Sequence, residues 1–131
     1  MYDERSRATE WWDNKNYYGL DMTVLHERAI TEKFSQPILD TLKPECLLSF
    51  APRRKVFNFE TCTVEDLKYL KMEFDHMMTR TALLHGYVLY FSAFFDGIDK
   101  QAALHTGPNH EATHWYQTLL FFAEPVGVNR G

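Results

Sequence analysis

Three histidines crowd one stretch of the chain, His105, His110 and His114, and the last is followed at once by Trp115 in "HEATHWYQTLLFF" (residues 110–122). Imidazole can ligate a metal, carry a proton near neutral pH, or act as hydrogen-bond donor or acceptor. A metal centre is the weaker use. On one strand His110 and His114 would stand roughly 13 Å apart at about 3.3 Å per residue, too far to share a zinc ion unless a loop folds them together. His76 and His85 fall within strand-like patterns, and His26 stands beside Glu27 and Arg28 on a helix, positions where histidine is more often a satisfied sheet or surface residue. No phosphate loop, dinucleotide-binding glycine motif, nucleophile elbow or framed Cys-His pair occurs, so no cofactor site is encoded. Glu65-Asp66, the adjacent acidic pair in a strand-linking segment, reads as an exposed cap or turn, and Arg53-Arg54-Lys55 as a solvated cluster.

The body that must position these groups has 131 residues, enough for one domain that buries roughly two-thirds of its unfolded surface if it closes fully. Hydrophobic residues at 45% and aromatics at 15% exclude a disordered tail. A net charge of −4 supplies no basic field for a phosphate backbone, which argues against nucleic acid and favours cationic partners. Two cysteines, Cys46 and Cys62, are too few for a disulfide framework and are expected to be reduced, buried thiols of a cytoplasmic or nuclear protein. The start "MYDERSRATEWW" has no signal-peptide core, and no run approaches the roughly 18 apolar residues of a membrane span.

Residues 1–18 read as a charged lead-in that docks Trp11 and Trp12. Asp21 or Thr23 caps a helix whose Leu25, Ala29, Ile30 and Phe34 share a face. Pro37 interrupts it, and Ile38, Leu39 and Leu42 suggest a second helical piece before Pro44. From Val56 the period changes to two: Phe57 and Phe59, then Leu70, Met72, Phe74 and His76, alternate with wetter positions as half-buried strands do. "GYVLYFSAFF" (86–95) is apolar on both faces, as a covered central strand would be, and Asp96-Gly97 closes it as a turn. Residues 102–108, 115–124 and 126–129 continue the series. Strands in succession without alternating helices predict a mainly β fold, an incomplete antiparallel barrel or sandwich with an inserted helix-turn-helix arm.

Four pieces, in order, resemble the protein arginine N-methyltransferases: "WWDNKNYYGLDM" (11–22), "LLHGYVLYFSAFF" (83–95), "HTGPNHEATHWYQT" (105–118) and "EPVGVNRG" (124–131). The string "THW" followed by Gln117 is the most specific of them. Tyr116 stands where many members have lysine and looks like the coactivator-associated branch, while Glu111 and His105 replace a common proline and serine. The resemblance implies three parts: a lead-in at 1–18 from a cofactor domain, a helical dimerisation arm at 19–48, and a partial β-barrel domain at 49–131. It implies further that Thr113 holds a loop on the barrel rim, and that Trp115 walls the channel for the acceptor arginine by cation–π contact. His114, the catalytic candidate, would bond or ion-pair with a carboxylate of the cofactor domain. Leu25, Ala29, Phe34 and Ile38 would form the dimer interface.

S-adenosylmethionine, the methyl donor of that family, would be bound by a cofactor domain preceding residue 1, and the last barrel strands would follow Gly131. The chain alone is therefore expected neither to bind the cofactor nor to methylate, and to leave a sheet edge unpaired. The expected partners are an arginine-containing protein substrate and a second copy through the arm, with no nucleic acid and no membrane. A barrel module that pairs with and regulates an active methyltransferase is the alternative. A metal-dependent β-barrel enzyme using His105, His110 and His114 ranks below both.

Overall fold

The apolar run "TLLFF" becomes the middle of the molecule. In the computed structural model, which describes residues 9–97 and 100–131, strand β5 (Gln117–Val128) lies between β1 (Ile38–Asp40) and β2 (Ala82–Leu89) in an antiparallel three-stranded sheet. A separate hairpin pairs β3 (Ser92–Asp96) with β4 (Gln101–His105). Among the described residues lie the helices α1 (His26–Phe34) and the one-turn α2 (Val64–Lys68). The fold is mainly β and antiparallel, as its succession of strands predicts, and no closed barrel forms among the described residues. No helix among the described residues is long and apolar enough to cross a membrane. Part of the lead-in, residues 1–8, and the far side of the Asp96-Gly97 turn, residues 98–99, lie outside the described residues.

The arm differs from its expected form. Neither Asp21 nor Thr23 caps the helix, whose N-cap is Leu25 without a side-chain bond; Asp21 Oδ1 instead accepts from the Thr23 N–H (2.9 Å) and hydroxyl (2.6 Å) one turn earlier. A 3-10 turn, Thr23–Leu25, then leads into α1. The second helical piece is a correction, because Ile38–Asp40 forms β1, with Ile38 opposite Leu119 and Asp40 opposite Gln117. The stretch between Pro37 and Pro44 is too short to repay helix nucleation, and the open edge of β5 offers its backbone a ladder instead. The arm is thus one helix followed by a strand.

Two further expectations are corrected. The segment 86–95 is not one covered central strand. It divides at Tyr90-Phe91 between β2 and β3, which belong to different sheets, and β5 takes the central place. The alternating stretches 56–60 and 70–76 form no strand. Between them the chain makes α2, capped by Thr63, whose hydroxyl accepts from the Asp66 N–H while the Asp66 carboxylate accepts from the Thr63 N–H. Alternation records which face is wet, and a strand needs a partner edge besides.

The β2–β5 ladder is joined across a large bulge. Leu84 faces Val126, then Gly86 faces Phe121, so residues 122–125 stand against His85 alone. Pro125, which has no N–H for a ladder, falls in that bulge. Gly86 is required there, since a Cβ would run into the Leu120 carbonyl and come within 2.9 Å of the Phe121 Cα. Packing is thin. Leu119 is the one large apolar side chain among the described residues that is buried, while Leu39, Leu83, Leu120 and Val126 of the same sheet stay exposed.

Candidate functional site

Residues 113–116 form a tight turn closed by a hydrogen bond from the Tyr116 N–H to the Thr113 carbonyl at 3.1 Å. His114 and Trp115 occupy its two corner positions, so both side chains are exposed where the chain enters β5. Tyr116 follows at φ 56°, a left-handed conformation that costs a non-glycine residue roughly 1–2 kcal/mol. Such strain persists only where its surroundings over-determine it. The His114 and Trp115 rings lie against each other, centroids 4.0 Å apart and 30° between planes, and the edge of Phe91 meets Trp115 at 6.0 Å and 82°. The Thr113 hydroxyl is sheltered from solvent and has no hydrogen-bond partner among the described residues.

Beneath the turn lies a buried polar knot. Thr106, only 1% exposed, binds Phe91 three times at 3.1 Å: its N–H donates to the Phe91 carbonyl, its hydroxyl donates to the same carbonyl, and that hydroxyl accepts from the Phe91 N–H. Gln117, 3% exposed, donates from Nε2 to the Thr106 carbonyl at 2.7 Å and accepts at Oε1 from the Leu42 N–H at 2.8 Å. Both ends of one buried amide are therefore used, as an apolar setting demands.

The motif does not mark Gln117 as a buried, doubly bonded residue, although a signal for it exists. With period two it shares its face with Leu119 and Phe121, and a polar side chain in phase with the buried face of a strand must find partners.

The three clustered histidines do not converge. His105 stacks on His110, centroids 4.4 Å apart and 15° between planes, and its Nδ1 meets the Ser92 hydroxyl at 2.8 Å, whereas His114 lies with Trp115. No group of three or more His, Cys, Asp or Glu side chains that could hold a metal occurs among the described residues.

On the arm, Leu25 is exposed, Ala29 is half-buried, Phe34 packs edge-on against Phe121 of β5 (4.8 Å), and Ile38 lies in the ladder opposite Leu119. A shallow, solvent-open depression on α1, lined by Glu27, Arg28, Thr31, Glu32 and Ser35, offers no apolar slot for a nucleoside ring.

A family model described as the arginine methyltransferase oligomerization subdomain matches residues 1–131. The chain is 30% identical over its whole length to a probable histone-arginine methyltransferase CARM1 of Oryza sativa subsp. indica, of which it covers 25%. It is 28% identical to the histone-arginine methyltransferase CARMER of Drosophila yakuba, of which it covers 24%. The chain spans about a quarter of the length of the curated relatives it matches.

Among solved structures it resembles the Trypanosoma brucei PRMT1 enzyme-prozyme heterotetrameric complex with AdoHcy, with TM-score 0.70 and 22% identity over 99% of this chain and 40% of that one. It also resembles the protein arginine methyltransferase 10 of Arabidopsis thaliana, solved in an open conformation, with TM-score 0.57 and 21% identity over 97% of this chain and 41% of that one. Those likenesses show the fold, and the match over every residue shows more: this chain belongs to the arginine methyltransferases as an oligomerization subdomain, and resembles their CARM1-type members.

Proposed function

We propose that the chain supplies the acceptor side and a subunit contact of an S-adenosylmethionine-dependent protein arginine methyltransferase, the cofactor being held by a separate domain. The observation that carries this reading is the 113–116 turn, which presents an indole and an imidazole outward from a buried, hydrogen-bonded base. Trp115, braced by Phe91, walls the channel for the incoming guanidinium by cation–π attraction. His114 ties the turn to a carboxylate of the cofactor domain, and Thr113 closes the turn beneath it. Leu25, Ala29, Phe34 and Ile38 form the contact with the partner subunit, Phe34 and Ile38 also holding the arm to its own sheet. The relatives' histone-arginine methyltransferase names support a nuclear or cytoplasmic site of action.

A second reading, in which the subdomain pairs with and regulates an active methyltransferase without catalysing, is favoured by the likeness to an enzyme-prozyme complex. One experiment separates the two. This chain replaces the corresponding quarter of the Oryza sativa relative, and kcat/KM is measured with Trp115→Ala and His114→Ala. The acceptor-side reading expects losses of about 100-fold, the scale of a lost positioning contact. Full activity in both variants would sink it, and an inactive chimera that still stimulates a separate wild-type enzyme would establish the regulatory role.

A further inference from the structure

The Thr-His-Trp turn and the arm are far apart in sequence, yet one buried side chain touches the supports of both. We propose that Gln117 is a positioning residue that couples the placement of the arm to the placement of Trp115.

The connection is continuous and each step has a stated geometry. The Leu42 N–H, at the arm's return from β1, donates to Gln117 Oε1 (2.8 Å), and Gln117 Nε2 donates to the Thr106 carbonyl (2.7 Å). The Thr106 hydroxyl and N–H grip the backbone of Phe91 (3.1 Å each), and the Phe91 ring meets the indole of Trp115 edge-on at 6.0 Å. Gln117 also begins β5 directly after the strained Tyr116, so a shift of its backbone reaches the turn from below as well.

The amide chemistry makes the link stiff. One planar group satisfies a donor on one segment and an acceptor on another, and in a buried site neither can be given up for water. A movement of Leu42 imposed by a partner on the arm therefore either carries the amide with it or breaks a buried bond. A serine or threonine would be too short to span both segments, and a leucine of similar volume would span them without bonding either. The side-chain type is what makes Gln117 a bracket rather than a filler.

The consequence for acceptor binding rests on the reading of Trp115 given above, whereas the coupling itself does not, so the two fail separately. The test uses the 131-residue chain. Amide hydrogen exchange and the Trp115 indole N–H resonance are recorded for wild type, Gln117→Leu, Leu42→Pro and the double variant.

In Gln117→Leu the Leu42 amide is expected to lose protection tenfold or more while the Ala82–Leu84 end of the ladder keeps its own. The indole resonance moves. Leu42→Pro, which deletes the donor at the arm, moves it in the same direction, and in the Gln117→Leu background it moves it no further. An indole resonance unmoved by either substitution, or shifts that simply add, overturns the coupling and leaves Gln117 a local cap. Should Gln117→Leu lose the whole ladder, Gln117→Asn keeps the amide one methylene short and the same two signals decide.

Discussion

In the knot around Thr106 and Gln117 the buried amide and hydroxyl are hydrogen-bonded, whereas the long excursion at residues 50–78, though rich in apolar side chains, stays open. Thr106 and Gln117 are almost fully buried, whereas Val56, Phe59, Tyr69 and Met77 are each more than three-quarters exposed. The excursion is held at few points. Arg53 donates from Nε and Nη2 to the Asp75 carbonyl (3.1 and 2.8 Å), the Thr79 N–H donates to the Leu48 carbonyl (2.8 Å), and Met78 and Gly131 exchange backbone bonds (3.1 and 3.2 Å). Hydrophobic content alone therefore does not decide which part of a chain acquires a ladder. An available edge and a matched set of donors and acceptors do.

The largest effect that would sharpen this contrast is expected at Gly86. A side chain there meets the Leu120 carbonyl and the Phe121 Cα, both backbone, so neither swings aside. Gly86→Val should cost about 3 kcal/mol or more in a denaturant melt, the range of severe overpacking. A midpoint within experimental error of wild type would mean that β5 does not pack on β2 as described.

Next comes Thr106→Val, which preserves shape and deletes the hydroxyl that both donates to and accepts from Phe91. Leaving those backbone groups one partner short should cost about 1–3 kcal/mol. Its counterpart in the open region is Phe59→Ser. With Phe59 81% exposed, the change should stay within about 0.5 kcal/mol, despite removing a whole aromatic ring. Equal costs at the two positions would erase the distinction between the regions.

The same distinction explains what is legible in the sequence. α1 can be read from Ala29, Ile30 and Phe34, and the existence of strands after Ala82, though not their break at Tyr90-Phe91, from β-branched and aromatic runs bounded by turns, because both signals are local. The Thr-His-Trp turn is legible as a motif beside an apolar run. β1 is not, since nothing within residues 38–42 announces that the edge of β5 waits some 80 positions later. Nor is the Gln117 bracket, whose partners are 75 and 11 residues away. The failed strands at 56–60 and 70–76 are the converse case, a correct local pattern with no edge to complete it.

The smallest expected effect lies in the open region and is purely local. The Thr63 backbone N–H, and after it the Thr63 hydroxyl, hold the Asp66 carboxyl below the usual carboxylate range. A folded-state value below the unfolded one means that the cap's contribution is complete above the ordinary aspartate value of about 3.9 and fades as pH falls through the lower, folded value. Asp66 is fully exposed, so the loss belongs to α2 rather than to the global transition. Followed by NMR, the Thr63 amide should titrate below the ordinary aspartate range, and Asp66→Asn should abolish that titration while leaving the denaturation midpoint of the sheet in place. A midpoint that tracked Asp66 would join α2 to the core after all, and the excursion would then have to be counted as part of the ordered half of the molecule.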